Sequence, residues 1–154
     1  MTSSPSDMYP ARRLPDPEYL AELYEDVPSK RLFAWIVDVA LIAIIVGVLT
    51  LFSFLTALFF LPFLFAVVSF LYRWGTLATR SATPGMRLMS IELRDTQGDF
   101  LNGATAFLHT LGYFLSVAIF PLQLVSIAMM LMTRRKQGLS DLALGTVALN
   151  KQVA

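Results

Sequence analysis

Cysteine is absent from this chain of 154 residues, and histidine occurs only once. The missing thiols exclude disulfides, thiolate nucleophiles and Cys-ligated zinc or iron–sulfur sites, and one histidine cannot supply a multi-His metal site. The sequence also shows no nucleophile–base pair and no glycine-rich phosphate loop. We therefore predict that the protein is not an enzyme, and that it has no catalytic residues, no metal site and no bound cofactor.

Charged residues are scarce, at 15% of the chain, where soluble domains usually carry about 25%. No Asp, Glu, Lys or Arg occurs between Asp38 and Arg73, or between Asp99 and Arg134. A helix that spans a bilayer needs about 20 apolar residues, so the two blocks predict an integral membrane protein with the lipid bilayer as its main partner. The net charge of +1 gives no electrostatic basis for binding nucleic acid.

The two apolar blocks predict an all-α fold in which each block forms a helical hairpin. The first block favours helices over 31–54 and 56–74, with Tyr72 as an interface aromatic near the end of the second. A single helix over the second block would be roughly 50 Å long, well beyond a membrane core of about 30 Å. We therefore expect helices over 101–119 and 121–136. The prediction is a bundle of four spans, with three as the alternative because each half of the second block is barely long enough to cross.

Basic residues flank each apolar block, as is typical of the cytoplasmic side of a membrane protein. Lys30 and Arg31 precede the first block, four arginines from Arg73 to Arg94 separate the blocks, and residues 134–136 follow the second. This pattern predicts a multi-pass protein with both termini in the cytoplasm and an even number of crossings.

The polar segments outside the blocks predict little regular structure. Residues 1–28 are rich in proline and acids, and we expect a disordered or loosely ordered tail followed by a membrane domain over 29–150. Pro84-Gly85 suits a type II turn. Short strands are predicted over 89–94 and 146–149, and they can pair as a minor two-strand element on the cytoplasmic side.

Asp38 is the most informative single residue, because a carboxylate inside a membrane helix costs on the order of 2.5–3.5 kcal/mol to insert. It is either an ion or proton site or a structural group that fixes helix packing. Arg31 lies on the same helix face but roughly 10 Å away, too far for a direct pair. We expect the partner of Asp38 to be Arg87, His109 or a Ser/Thr hydroxyl.

Three further polar residues can be interpreted from their positions in the sequence. His109 is either a proton relay or a hydrogen-bonding packing residue. Arg31 is sufficiently explained as an anchor to lipid phosphate. Asp141 precedes an apolar turn and is interpreted as a helix N-cap.

Three motifs, taken together and in order, resemble the RDD family, which is named for an arginine and two aspartates. The first runs from Arg31 to Asp38, the second is Thr83-Pro84-Gly85-Met86-Arg87 with the strand that follows it, and the third runs from Asp141 to Val147. Met86 replaces the family's usual lysine, and His109 lies about where arginine is common. Asp141 is taken as the second family aspartate, with Asp95 as the competitor.

The resemblance implies a small protein of the bacterial inner membrane with a link to transport of ions or other ligands. One hypothesis is a homo-oligomeric transporter or exchanger that binds an ion or small ligand at Asp38. The other is a non-transporting scaffold or accessory subunit. In that case Arg31, Asp38, Arg87 and Asp141 form a structural polar lock.

Overall fold

The computed structural model describes residues 14–151, so the tail prediction for residues 1–13 lies outside the described part. Residues 14–151 are mostly helical and contain one two-stranded sheet. The elements are α1 (Val27–Phe52), α2 (Leu61–Arg80), α3 (Pro84–Leu88), β1 (Ile91–Arg94), α4 (Gly103–Ala118), α5 (Phe120–Met132), α6 (Leu139–Leu144) and β2 (Val147–Asn150). Short 3-10 helices cover Ala21–Leu23 and Thr56–Phe60.

Two helical stretches within residues 14–151, Ala21–Phe52 and Thr56–Arg80, are long and apolar enough to cross a membrane. Helices α4 and α5 are long and apolar enough to cross a membrane only when they are taken together, and the chain bends by 117° between them. The described chain therefore has two candidate spans, or three if the bent pair is one span. The predicted four-helix count is not confirmed, because α4 and α5 are about 24 Å and 20 Å long at 1.5 Å per residue.

Helices α1 and α2 both extend past the apolar blocks from which they were predicted. Helix α1 begins at Val27 with a proline in its first turn, where a missing N–H costs nothing. Helix α2 continues beyond Trp74 to Arg80 and ends at Ser81, which has a left-handed backbone conformation. Charged residues bound the apolar blocks of the sequence, but they do not end these helices.

The predicted type II turn at Pro84-Gly85 is wrong, because these residues form the first turn of α3. Thr83 is the N-cap, and its side-chain oxygen accepts a hydrogen bond from the Met86 amide at 3.2 Å. Proline at the first helical position completes this start.

The predicted two-strand element is present as an antiparallel pair, with Ile91 opposite Asn150 and Arg94 opposite Val147. Strand β1 begins at Ile91 because Ser90 has a φ of 56°. Strand β2 begins one residue later than predicted, because the Thr146 amide still donates to the Asp141 carbonyl oxygen at 2.9 Å. Gly145 makes this change of direction with a φ of 68°, which suits a glycine.

The sheet and the first half of α1 share the main hydrophobic core. The buried members of this core are Val27, Ala34, Leu77, Ala82, Met86, Ile91, Leu93, Leu101, Ala106 and Ala148. A second cluster joins Leu23 and Tyr24 to Val147 and Leu149 of β2. Residues 14–26 therefore differ from the predicted loosely ordered tail, since they pack on the sheet.

Candidate functional site

Asp141 is the centre of the first polar cluster, and its carboxylate is completely buried. Its Oδ2 accepts from Nη1 of Arg31 at 2.5 Å and from the Gly138 amide at 3.0 Å. Its Oδ1 lies 2.8 Å from Nε2 of His109 and accepts from the Thr146 hydroxyl at 3.1 Å. Four partners fill the acceptor capacity of an ionised carboxylate. We call these five residues the Asp141 centre.

The charge of Asp141 is stabilised by its neighbours. Burial alone raises the pKa of a carboxyl group, but the Arg31 guanidinium and the bond to His109 outweigh burial and hold the pKa of Asp141 well below its ordinary value. The prediction that Asp141 is the N-cap of α6 is wrong, because Asp141 is the third residue of that helix. Its side chain accepts from the amide of the N-cap residue, Gly138.

Asp38 is the centre of the second polar cluster and is only 1% exposed. Its Oδ1 accepts from the Tyr72 hydroxyl at 2.7 Å and from the Gly85 amide at 2.8 Å. Its Oδ2 accepts from the Thr83 hydroxyl at 2.6 Å. We call these four residues the Asp38 centre, and in it the charge is balanced by neutral donors rather than by a cation.

Gly85 has no side chain where α3 meets α1. A Cβ atom added there would lie 2.8 Å from Oδ1 of Asp38 and would also collide with the Ala34 carbonyl oxygen. The close approach lets the Gly85 amide reach the carboxylate. The glycine therefore brings α3 against α1 and completes the Asp38 centre.

A cavity of about 80 Å³ lies beside both centres. Arg31 and His109 line it from one centre, and Asp38 and Thr83 line it from the other. Arg73 also lines it, with its guanidinium carbon 4.2 Å from the centroid of the Tyr113 ring. The Tyr113 hydroxyl accepts a hydrogen bond from the Trp35 indole at 2.8 Å.

The structure separates the predicted site residues into two groups. Arg31, His109 and Asp141 meet directly, whereas Asp38 binds a different set of partners. Arg87 has no side-chain hydrogen bond or ion pair within the described residues. Residues 14–151 also contain no cluster of three or more His, Asp or Glu that could hold a metal ion.

Sequence reasoning missed several partners. A Ser/Thr hydroxyl was among the expected partners of Asp38, but nothing selected Thr83. Tyr72 was interpreted only as an interface aromatic. Gly138 and Thr146 lie close to Asp141 in the sequence. The predicted helix start near Asp141 was the one sequence feature that could have indicated them as its partners.

Comparison with known proteins gives one match. The model of the RDD family matches residues 27–145, a range that includes the whole Asp38 centre and every member of the Asp141 centre except Thr146. Among curated proteins and among solved structures, no significant match was found.

Proposed function

The chain belongs to the RDD family of membrane proteins, and we propose that it is a non-transporting membrane scaffold or accessory subunit. In this proposal the Asp38 and Asp141 centres are structural. The carrying observation is that both carboxylates are buried, at 1% and 0% exposure, and are bonded to protein groups. The proposal keeps the predicted polar lock but replaces Arg87 with His109.

The hydrogen-bond partners argue against an ion-exchange role for these carboxylates. A site that exchanges a cation must expose its oxygens to water and must release them from other donors. Asp141 would have to lose four contacts and Asp38 three. Leaving even one buried donor unpaired costs about 1–3 kcal/mol, so replacing these donors with a bare metal cation is unfavourable.

The contacts of the two centres join the membrane helices to the small elements that surround the sheet. Asp38 links α1 to α2 through Tyr72, and it links α1 to α3 through Thr83 and Gly85. Asp141 links α6 to α1 through Arg31 and to α4 through His109. Such a frame supports a rigid surface for a partner better than it supports a moving gate.

The cavity also favours the scaffold over the transporter. Its lining residues belong to Arg31–Asp38 of α1, Arg73–Leu77 of α2, Thr83–Leu93 and His109–Tyr113 of α4. All of these lie in the half of the molecule next to the sheet. A transport path would need lining residues from the other half as well.

For the topology, we propose two full spans, α1 and α2, followed by α4 and α5 as a re-entrant pair. Strands β1 and β2 are paired, which supports a topology in which the chain enters and leaves the α4–α5 pair on the same side. The 117° bend and the short helices suit such a return. Basic flanks favour the cytoplasm for the sheet, which supports a placement of both termini on the cytoplasmic side of the inner membrane.

Flux measurements on reconstituted vesicles test the scaffold. We expect wild-type vesicles to show no proton-coupled Na⁺ or K⁺ flux above empty vesicles. Asp38→Asn should lower the thermal midpoint in detergent. The scaffold proposal would be wrong if wild-type vesicles showed a flux that Asp38→Asn abolishes while the variant keeps its thermal midpoint. That result would indicate a transporter.

A further inference from the structure

Arg73 is a cation without a protein anion beside it. Among residues 14–151 it makes no ion pair or side-chain hydrogen bond, and its guanidinium lies over the Tyr113 ring. Stacking uses the face of the guanidinium and leaves its in-plane N–H donors free. Arg73 is one of the residues that line the 80 Å³ cavity.

Other donors line the same cavity. Arg31 uses Nη1 for Asp141, and its side chain has no other hydrogen bond within the described chain. The Tyr113 hydroxyl accepts from Trp35, and its own proton has no acceptor among residues 14–151. Two guanidinium groups and a hydroxyl among the residues that line one cavity provide the kind of donor set that an oxyanion site uses.

Asp38 is the acidic residue among those that line this cavity. Oδ2 of Asp38 accepts one hydrogen bond, from Thr83, whereas each carboxylate oxygen can accept about two. Arg31 and Asp141 neutralise each other, so Arg73 and Asp38 remain as one positive and one negative group. A ligand with both an oxyanion and an ammonium matches this pair of charges, whereas a simple anion is repelled by Asp38.

We infer that the cavity binds a small zwitterion, with its phosphate or carboxylate on Arg73, Arg31 and Tyr113 and its ammonium toward Asp38. Water occupies about 30 Å³ per molecule in the liquid, so 80 Å³ is the volume of about three waters. The cavity is partly open, so a ligand larger than this volume can extend out of it. A phosphoethanolamine lipid headgroup and a free amino acid share this chemistry. The inference does not depend on the scaffold proposal.

The test uses the full chain purified in detergent. Its thermal midpoint is measured with glycine, free phosphoethanolamine and inorganic phosphate. Bound lipid is counted by native mass spectrometry after adding short-chain phosphatidylethanolamine, phosphatidylcholine or phosphatidylglycerol. We expect a zwitterion with a primary ammonium to stabilise the protein more than inorganic phosphate does. Preference for phosphatidylethanolamine identifies the lipid source, and stabilisation by glycine alone identifies the free solute.

Variants on the same helix provide the matched comparison. We expect Arg73→Gln to weaken the binding of the zwitterion at least tenfold, whereas Arg80→Gln, two turns later and exposed, should leave binding unchanged. Tyr113→Phe keeps the stacked ring but removes the hydroxyl, and we expect a threefold to tenfold loss. This variant tests the site even if Arg73→Gln fails to fold.

Three results would overturn the inference. The first is that none of the ligands shifts the thermal midpoint or binds. The second is that Arg73→Gln and Arg80→Gln weaken binding equally. The third is that phosphatidylglycerol or inorganic phosphate binds as tightly as its ammonium-bearing counterpart, which would show that the amine is not recognised. The coupling energy between Arg31 and Asp141 tests the structural role of the Asp141 centre separately, so the two proposals can fail independently.

Discussion

Nη1 of Arg31 lies 2.5 Å from Oδ2 of Asp141, although 110 positions separate the two residues along the chain. The pair joins the start of the first membrane helix to the last short helix. The Asp141 side chain is fully buried, and that of Arg31 is 17% exposed. Removing one partner of a buried pair leaves an uncompensated charge, so this contact should matter far more than an ion pair at the surface.

A double-mutant cycle tests this pair. Arg31→Gln and Asp141→Asn should each lower the free energy of unfolding by about 3–5 kcal/mol. The double variant should lose less than the sum, with a coupling of about 1–3 kcal/mol. Arg134→Gln is the control, because its pair with Glu18 is mostly exposed and should contribute under about 1 kcal/mol. Additive losses in denaturant titrations would show that the two residues act independently.

Gly85 should tolerate no side chain. Gly85→Ala places a Cβ against the Ala34 carbonyl oxygen and Oδ1 of Asp38, and overpacking of this kind costs about 1–3 kcal/mol. Gly75→Ala is the matched control, since a Cβ there meets nothing within 4 Å and alanine favours a helix by about 1 kcal/mol. We expect the thermal midpoint to fall for the first variant and to stay or rise for the second. Equal midpoints would mean that α3 does not pack on α1 as described.

The donors of the Asp38 centre should contribute unequally. Tyr72→Phe removes one of the three bonds to the carboxylate and should cost about 1–2 kcal/mol. Thr83→Val should cost more, because the Thr83 hydroxyl both donates to Asp38 and accepts from the Met86 amide. Thr83→Ser keeps both bonds and is the control. The order of losses in chemical unfolding should be serine, then phenylalanine, then valine, and any other order counts against the geometry.

The architecture could be predicted from the sequence where one physical cause dominates. The absence of charge between Asp38 and Arg73 indicates a helical hairpin, and the alternation at Ile91–Arg94 indicates a strand. The path of the second block could not be predicted, because length and hydropathy do not fix a bend at Ile119. The excess length of the block indicated a break, but not its angle of 117°.

The site could be predicted only in part, for a similar reason. Arg31, Asp38, His109 and Asp141 are conspicuous as polar residues in or beside apolar helices. Which of them meet depends on how distant helices pack. The seven-residue spacing of Arg31 and Asp38 excluded a direct pair, but it could not assign Asp141 to one and Thr83 to the other.

The lowered pKa of Asp141 predicts a loss of stability in acid. The unfolded carboxyl has a pKa of about 3.9, and the folded value is lower because of Arg31 and His109. The contribution of the carboxylate is therefore complete above about pH 4 and is lost as the pH falls towards the folded-state pKa. The difference in free energy of unfolding between wild type and Asp141→Asn should shrink as the pH falls from about 5 to 3. A constant difference over that range would contradict the assignment, and Glu18→Gln is the exposed control.

The topology can be tested with single cysteines, because the chain has no cysteine of its own. Gln97→Cys lies in the turn after β1 and Arg134→Cys follows α5, and both positions are exposed. If α4 and α5 form a re-entrant pair, an impermeant maleimide should label both from the same side of oriented membrane vesicles. Phe52→Cys, at the far end of α1 and 82% exposed in wild type, should be labelled from the opposite side. Labelling of residues 97 and 134 from opposite sides would make the bent pair a single span. That result would conflict with the pairing of β1 and β2, since paired strands must lie on one side of the membrane.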